Sequence, residues 1–321
     1  MLPSSAIKRA ALEAGFDIAG ICPACEPPHY SAYLSWLQGK FHAGMAYMAR
    51  SKVLRSSPES LLPGAKSILA VGLNYNQNPP RNTNAKISRY ALGRDYHKVI
   101  RKKLKQVARW AEAEYEGLQT RICVDSAPIL ERDYAWLAGL GWFGKNTCLI
   151  NTKRGSWFFI GLLLLDKEFE PDAPTEGSCG SCRKCIDACP TGALVFENGS
   201  KVAVLDSKRC ISYLTIEHPR GFRHGEERLL NGWIFGCDVC QEVCPFNQPR
   251  EHQPLRATIT KETDFIPKRE IISIEPEELV GISDAEFLDK FKGTSLMRAG
   301  AGRMRRNALA LIATRGGEKA K

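Results

Sequence analysis

Eight of the twelve cysteines in this 321-residue chain fall between Cys179 and Cys244. Cys179, Cys182, Cys185 and Cys189 follow C-x2-C-x2-C-x3-C, and Pro190 comes next. This is the bacterial ferredoxin run: three cysteines on a tight loop reach one iron–sulfur cubane, and the fourth, followed by proline, ligates the other. Cys237, Cys240 and Cys244, with Pro245 after them, repeat the last three members, and a lone Cys210 supplies the missing first. The crossing rule assigns Cys179, Cys182, Cys185 and Cys244 to one [4Fe–4S] cluster and Cys189, Cys210, Cys237 and Cys240 to the other. Zinc also binds C-x2-C pairs, but zinc does not account for the two C-x3-C-P endings. A cluster with all four ligands transfers electrons and leaves no iron open to substrate.

The remaining chemistry-bearing residues are sparser. Cys22 and Cys25 form an isolated C-x2-C with no second pair nearby, which reads as ordinary thiols. Cys123 and Cys148 lie in apolar stretches and read as core. No G-x-G-x-x-G follows a strand, and no P-loop is present. His29, His42 and His97 read as structural. One carboxylate stands out by position. Asp125 ends the apolar run Arg121-Ile122-Cys123-Val124 and precedes a Ser-Ala-Pro turn and a helix. The ends of strands are where such domains place ligands. A shielded carboxyl there has a raised pKa and can deliver a proton. The alternative is a helix cap by Asp125 or by Ser126.

The elements that position these residues alternate. Spacing predicts helices over residues 4–14, 96–116 and 129–140, and strands over 16–22, 66–73, 120–124, 147–151 and 156–165. The expected class is α/β (α+β) for residues 1–167. Residues 168–176 are acidic and proline-rich, a predicted linker. A ferredoxin-like unit over 168–253 and a short helical, basic segment over 254–321 complete the expected plan. The longest strongly apolar stretch, residues 157–165, is far below the roughly 20 residues that span a bilayer. The first residues lack the basic flank and apolar run of an export signal. A cytoplasmic monomer with no membrane contact is therefore expected. Lys and Arg exceed Asp and Glu by 45 to 35, a balance that suits a polyanionic partner.

Several blocks together resemble epoxyqueuosine reductase, a cobalamin-dependent family that completes queuosine in tRNA. They are Leu61-Leu62-Pro63-Gly64-Ala65-Lys66-Ser67, Gly93-Arg94-Asp95-Tyr96-His97, Val124-Asp125, Ala138-Gly139-Leu140-Gly141-Trp142 and Gly144-Lys145-Asn146. The cysteine run with Pro190-Thr191-Gly192-Ala193-Leu194, the block from Arg209 to Thr215, Phe235-Gly236-Cys237-Asp238 and Arg306-Asn307-Ala308 extend the match. The resemblance implies reduction of the epoxide at the wobble base to an alkene. Cobalamin would lie between the first domain and the cluster unit, and electrons would arrive from a flavodoxin- or ferredoxin-like donor through the clusters. Asp125 falls at the family's proton donor. Arg55, Ser88, Leu149, Ile160 and Ser212 fall where the family contacts the corrin; Ser88 departs from relatives with cysteine there. Arg132 is expected to face substrate or to pair with Glu131 or Asp133. Residues 298–321 carry seven Lys and Arg against Glu318. Arg298, Arg303, Arg305 and Arg306, with Arg220 and Arg223, are the expected tRNA contacts. The competing functions are a reductive dehalogenase acting on small organohalides and a non-enzymatic electron carrier.

Overall fold

Two eight-residue apolar runs form the centre of a four-stranded sheet. In the computed structural model, which describes residues 1–78, 85–196, 203–219, 221–222 and 225–318, α1 (Ser5–Glu13) leads into β1 (Ile18–Pro23). β2 (Ser67–Asn74), α2 (Tyr96–Glu114), β3 (Thr120–Cys123), α3 (Glu131–Leu137) and β4 (Phe158–Leu165) follow. The sheet order is β1-β2-β4-β3, and every neighbouring pair is antiparallel. The domain is thus mixed helix and sheet of the α+β kind, not the parallel α/β arrangement that alternation suggests.

The cause of that difference is burial on both faces. Leu163 and Leu165 of β4 pack with Ile7, Val99, Ile100 and Leu104 of α1 and α2. Leu162 and Leu164 pack on the opposite side with Tyr134 and Ala135 of α3. A strand covered on both faces reads as a continuous apolar run, a pattern typical of parallel sheets. Here helices cover an antiparallel sheet to the same effect. The packing is close at Gly20, where a Cβ would sit 1.9 Å from the Ala138 carbonyl oxygen.

The acidic stretch after β4 is stitched down rather than free. Leu2 and Glu168 and then Glu170 exchange backbone hydrogen bonds. Phe169 is buried, and its N–H donates to the Ser67 hydroxyl. Asp172 accepts from the Ile21 N–H and from the Lys8 ammonium. Residues 168–172 therefore belong to the first domain, and the expected linker is shorter than its composition suggests.

The C-terminal segment is likewise no appendage. α4 (Ile211–Ile216) and α5 (Gly300–Glu318) share one core with the strand Trp233–Phe235. That core includes Leu214, Phe235, Phe287, Phe291, Met304 and Leu311. Fully buried Asn307 donates to the carbonyls of Thr215 and Ile234. Replacing Asn307 by Ala would strand both carbonyls in an apolar core. Asn307→Ala is expected to lower stability by about 2–3 kcal/mol, read as a fall in the midpoint of chemical denaturation.

Candidate active site

The Gly93-Arg94-Asp95-Tyr96-His97 block builds one wall. Gly93 lies so close to Asp264 and Phe265 that a Cβ would meet their backbone at 2.7 Å. The chain then turns into α2, with Asp95 as its N-cap. The Asp95 carboxylate accepts from the His97 N–H at 3.0 Å and from His97 Nδ1 at 2.7 Å. A helix start is a natural seat for a carboxylate; here the same carboxylate also orients a ring. The Tyr96 ring is stacked between Phe159, 4.2 Å away, and His97, 4.1 Å away.

The facing side chain comes from the end of β3, an edge strand. Asp125 adopts a left-handed backbone conformation, φ +54°, and the Ser126 N–H closes a tight turn onto the Val124 carbonyl at 2.6 Å. His97 Nε2 lies 3.1 Å from Asp125 Oδ2. The Tyr96 hydroxyl also lies near this carboxylate and helps hold its charge. The Asp125 N–H donates to Glu131 Oε1 at 2.5 Å. Neither Asp125 nor Ser126 caps the following helix: α3 starts after Leu130 without a side-chain cap. Ser126 instead accepts from Arg101 at 2.7 Å.

Charge in this cluster differs from the sequence expectation. The Asp125 side chain is 61% exposed. Shielding from bulk water pushes its carboxyl up; His97 and the Tyr96 hydroxyl outweigh this and hold it below the usual carboxylate range. Partial burial pulls His97 down, but its bonds to Asp125 and Asp95 prevail and raise it to about 9. Burial, and then the charge of Asp125, push Glu131 up to about 8. At neutral pH the proton is on His97 rather than Asp125, and Glu131 is neutral.

Tyr96, His97 and Glu131 are the site residues that sequence reasoning missed. The signal was the Asp-x-His pair opening a long helix. Arg298 makes a two-point ion pair with Glu217 at 2.7 and 3.1 Å and lies over the Tyr47 ring. Its charge reaches Asp125 and helps hold that carboxyl down.

The structure brings one of the expected cysteine sets together around a cavity. Cys179, Cys182, Cys185 and Cys244 line one cavity with Lys145, Asn146, Ile150, Pro245 and Phe246. Burial and then the neighbouring thiolates Cys179, Cys244 and Cys182 push Cys185 up to about 11. In the second set, burial pushes Cys237 up to about 12, with Cys210 and Cys189 among the charges that add to it. Cys210 and Cys237 act on Cys240 in turn. Among the described residues no three such side chains converge on a single ion, whereas four thiols around a cavity suit a cubane. The first domain reaches both sets: the Lys145 N–H points at Cys179 Sγ, 3.4 Å away, its ammonium donates to the Gly180 and Cys182 carbonyls, and Asn146 donates to the Cys240 carbonyl.

Residues 55–126 match the family described as epoxyqueuosine reductase QueG, DUF1730, and residues 178–247 match the 4Fe-4S double cluster binding domain. The epoxyqueuosine reductase of Vibrio cholerae is 40% identical over 316 residues, which are 94% of this chain and 81% of that protein. The chain belongs to the epoxyqueuosine reductase family. Two solved members have nearly the same backbone. One, holding an epoxyqueuosine-modified tRNA-Tyr stem loop, aligns with a TM-score of 0.83 and 29% identity over 97% of this chain and 80% of its own. A Bacillus subtilis epoxyqueuosine reductase with its catalytic aspartate loop swung out of the active site aligns at 0.81 and 29%, over 97% and 81%.

The residues expected at the corrin of an epoxyqueuosine reductase are placed unevenly. Ile160 is the one half-open position in β4, and Ser212 the one in α4, so faces that are otherwise sealed open at these two points. Leu149 is buried in a two-residue strand. Arg55 is buried; it bonds Ser51 Oγ and the Ile129 carbonyl. Ser88 is a correction: it is 1% exposed, so its side chain is not open to a cofactor. Arg132 donates to the Thr147 carbonyl rather than pairing with Glu131 or Asp133.

The arginines of α5 are also committed. Arg306 donates to the Leu214 and His218 carbonyls, and Arg303 to the His218 and Ala299 carbonyls. They complete the end of α4, where carbonyls lack helical partners. Arg305 pairs with Asp284 and the Ile282 carbonyl. Arg220 and Arg223 lie outside the described residues.

His97 carries a sign-definite prediction. Its folded pKa, about 9, lies above the roughly 6.5 of an unfolded histidine. Its contribution to stability is therefore complete below about pH 6.5 and is lost as pH rises through about 9. Thermal midpoints measured across this range are expected to fall more steeply for the wild type than for His97→Gln.

Proposed function

We propose that this chain reduces the epoxide of epoxyqueuosine in tRNA to the alkene of queuosine, the last step in making that base. The observation that carries the reading is the line Asp95–His97–Asp125, a proton held beside an exposed carboxylate. Family membership and the two four-cysteine sets supply its setting. Removing an epoxide oxygen to leave an alkene takes two electrons and two protons and releases water. The carbon–oxygen bonds break to oxygen, so a proton must be delivered there.

Asp125 is the group that delivers it. His97 holds the proton at Nε2, and Asp95 fixes the ring that carries it. As negative charge grows on the substrate oxygen, the proton moves from His97 through Asp125 to that oxygen. Tyr96 supports the carboxylate with its hydroxyl. The left-handed turn at Asp125 is short and leaves the side chain in the open, which fits a loop that can leave the site, as in the Bacillus subtilis relative.

Arg55, Leu149, Ile160 and Ser212 would hold a cobalamin. When bound and reduced, it would supply a strong cobalt nucleophile and the electrons for the epoxide. Two [4Fe–4S] clusters, one on Cys179, Cys182, Cys185 and Cys244 and the other on Cys189, Cys210, Cys237 and Cys240, would relay electrons from an external low-potential donor of the flavodoxin or ferredoxin kind. No helix among the described residues is long and apolar enough to cross a membrane.

The test is an anaerobic assay with cobalamin, a strong reductant and epoxyqueuosine-containing tRNA, read by nucleoside mass. Wild-type protein is expected to convert the base with loss of one oxygen. Asp125→Asn is expected to keep its iron and bound cobalamin and to slow turnover by at least ~100-fold, the usual worth of a placed general acid. Full activity in that variant removes Asp125 from the mechanism.

For tRNA, Arg298 and Arg305 are the better candidates in α5 and its approach. Each has an acidic partner, Glu217 or Asp284, that a phosphate can replace. Arg298→Gln with Arg305→Gln is expected to weaken tRNA binding and to lower the slope of log Kd against log salt by about one for each phosphate no longer neutralised. An unchanged slope excludes this face from the interface.

A further inference from the structure

The Asp125 turn needs something to hold its backbone. β3 ends at Cys123, opposite Leu162, so the sheet ladder offers the Asp125 N–H no acceptor. The residue is left-handed at φ +54°, a region that a non-glycine residue occupies only when its surroundings impose it. His97 and Tyr96 hold the carboxylate, but neither holds the main chain.

Glu131 does. It is the first residue of α3, where a carboxylate ordinarily serves the helix end. Instead it reaches back six residues and accepts the Asp125 N–H at 2.5 Å. α3 is a firm base for this reach, since Asp133, Tyr134 and Ala135 are buried and Tyr134 belongs to the core under β2 and β4. The same loop is pinned at a second point, where Arg55 donates to the Ile129 carbonyl at 3.1 Å. We propose that Glu131 is a positioning residue for the reduction: its carboxyl oxygen fixes Asp125 in the left-handed conformation that points the carboxylate at His97 and at the reacting oxygen. This rests on the reading of Asp125 as the proton-delivering group. A neutral Glu131 suits the task, because it accepts the N–H without placing a second negative charge beside Asp125.

The experiment uses the full chain with its clusters and cobalamin, and compares Glu131→Ala, Glu131→Gln and Asp125→Asn. Turnover, KM for tRNA and amide exchange over residues 124–127 are measured for each. Glu131→Ala is expected to lower kcat at least ~10-fold, with KM changed less than ~2-fold, as small misplacements of a reacting group do. Exchange in that segment should quicken by a similar factor. Glu131→Gln keeps an accepting oxygen, and it is expected to restore kcat to within ~3-fold of wild type and to restore protection. Wild-type kcat in Glu131→Ala overturns the proposal, as does a Gln variant as slow as the Ala variant. Should Glu131→Ala not fold, fast exchange of the Asp125 amide in the wild type overturns it equally. If Asp125→Asn turns over normally while Glu131→Ala loses protection, the role of Asp125 falls and the hold by Glu131 stands.

Discussion

The Asp95 carboxylate does two jobs with one group, and the site depends on both. It ends the chain's approach to α2 by accepting a backbone N–H, and it grips the His97 ring next to that N–H. Without the cap, the first turn of α2 would fray. Without the grip, His97 would not present Nε2 to Asp125. The ring's charge in turn sets the state of Asp125, which would otherwise be a carboxyl partly shielded from water and so inclined to hold its own proton. One hydrogen-bonded carboxylate at a helix start thus helps decide the charge of a carboxyl about 30 residues further along the chain.

The double-cluster domain and its first set of four cysteines were legible because cluster ligation is local. A tight loop and a proline fix which thiol turns which way, so spacing carries most of the geometry, and Cys244 does join the set begun at Cys179. Asp125 was legible for a related reason: a polar residue at the end of an apolar strand has few places to be. Its protonation was not legible. That depends on His97 and Tyr96, which lie far away in sequence and reach it only through the packing of α2 against the sheet.

Other features were hidden by ambiguity in the residues themselves. Leu162 to Leu165 face two cores alternately, and a run apolar on every position does not tell a parallel sheet from an antiparallel one. The basic C-terminal stretch looked like a surface for polyanions. Arg303 and Arg306 instead spend their donors on carbonyls at the end of α4, a role that charge counting does not reveal. Arg298 is the reverse case: chosen for its charge, it stands within electrostatic reach of Asp125.

The hydrogen bonds from Lys145 and Asn146 to the cluster loops reach beyond electron transfer. They make the loop between the two short strands of the first domain depend on loops that only iron and sulfide can complete. Anything that binds the folded state alone deepens its stability, so cluster assembly and the firmness of this part of the first domain are thermodynamically linked. Loss of a bound cluster would therefore loosen the contact that Lys145 and Asn146 make between the two halves of the chain.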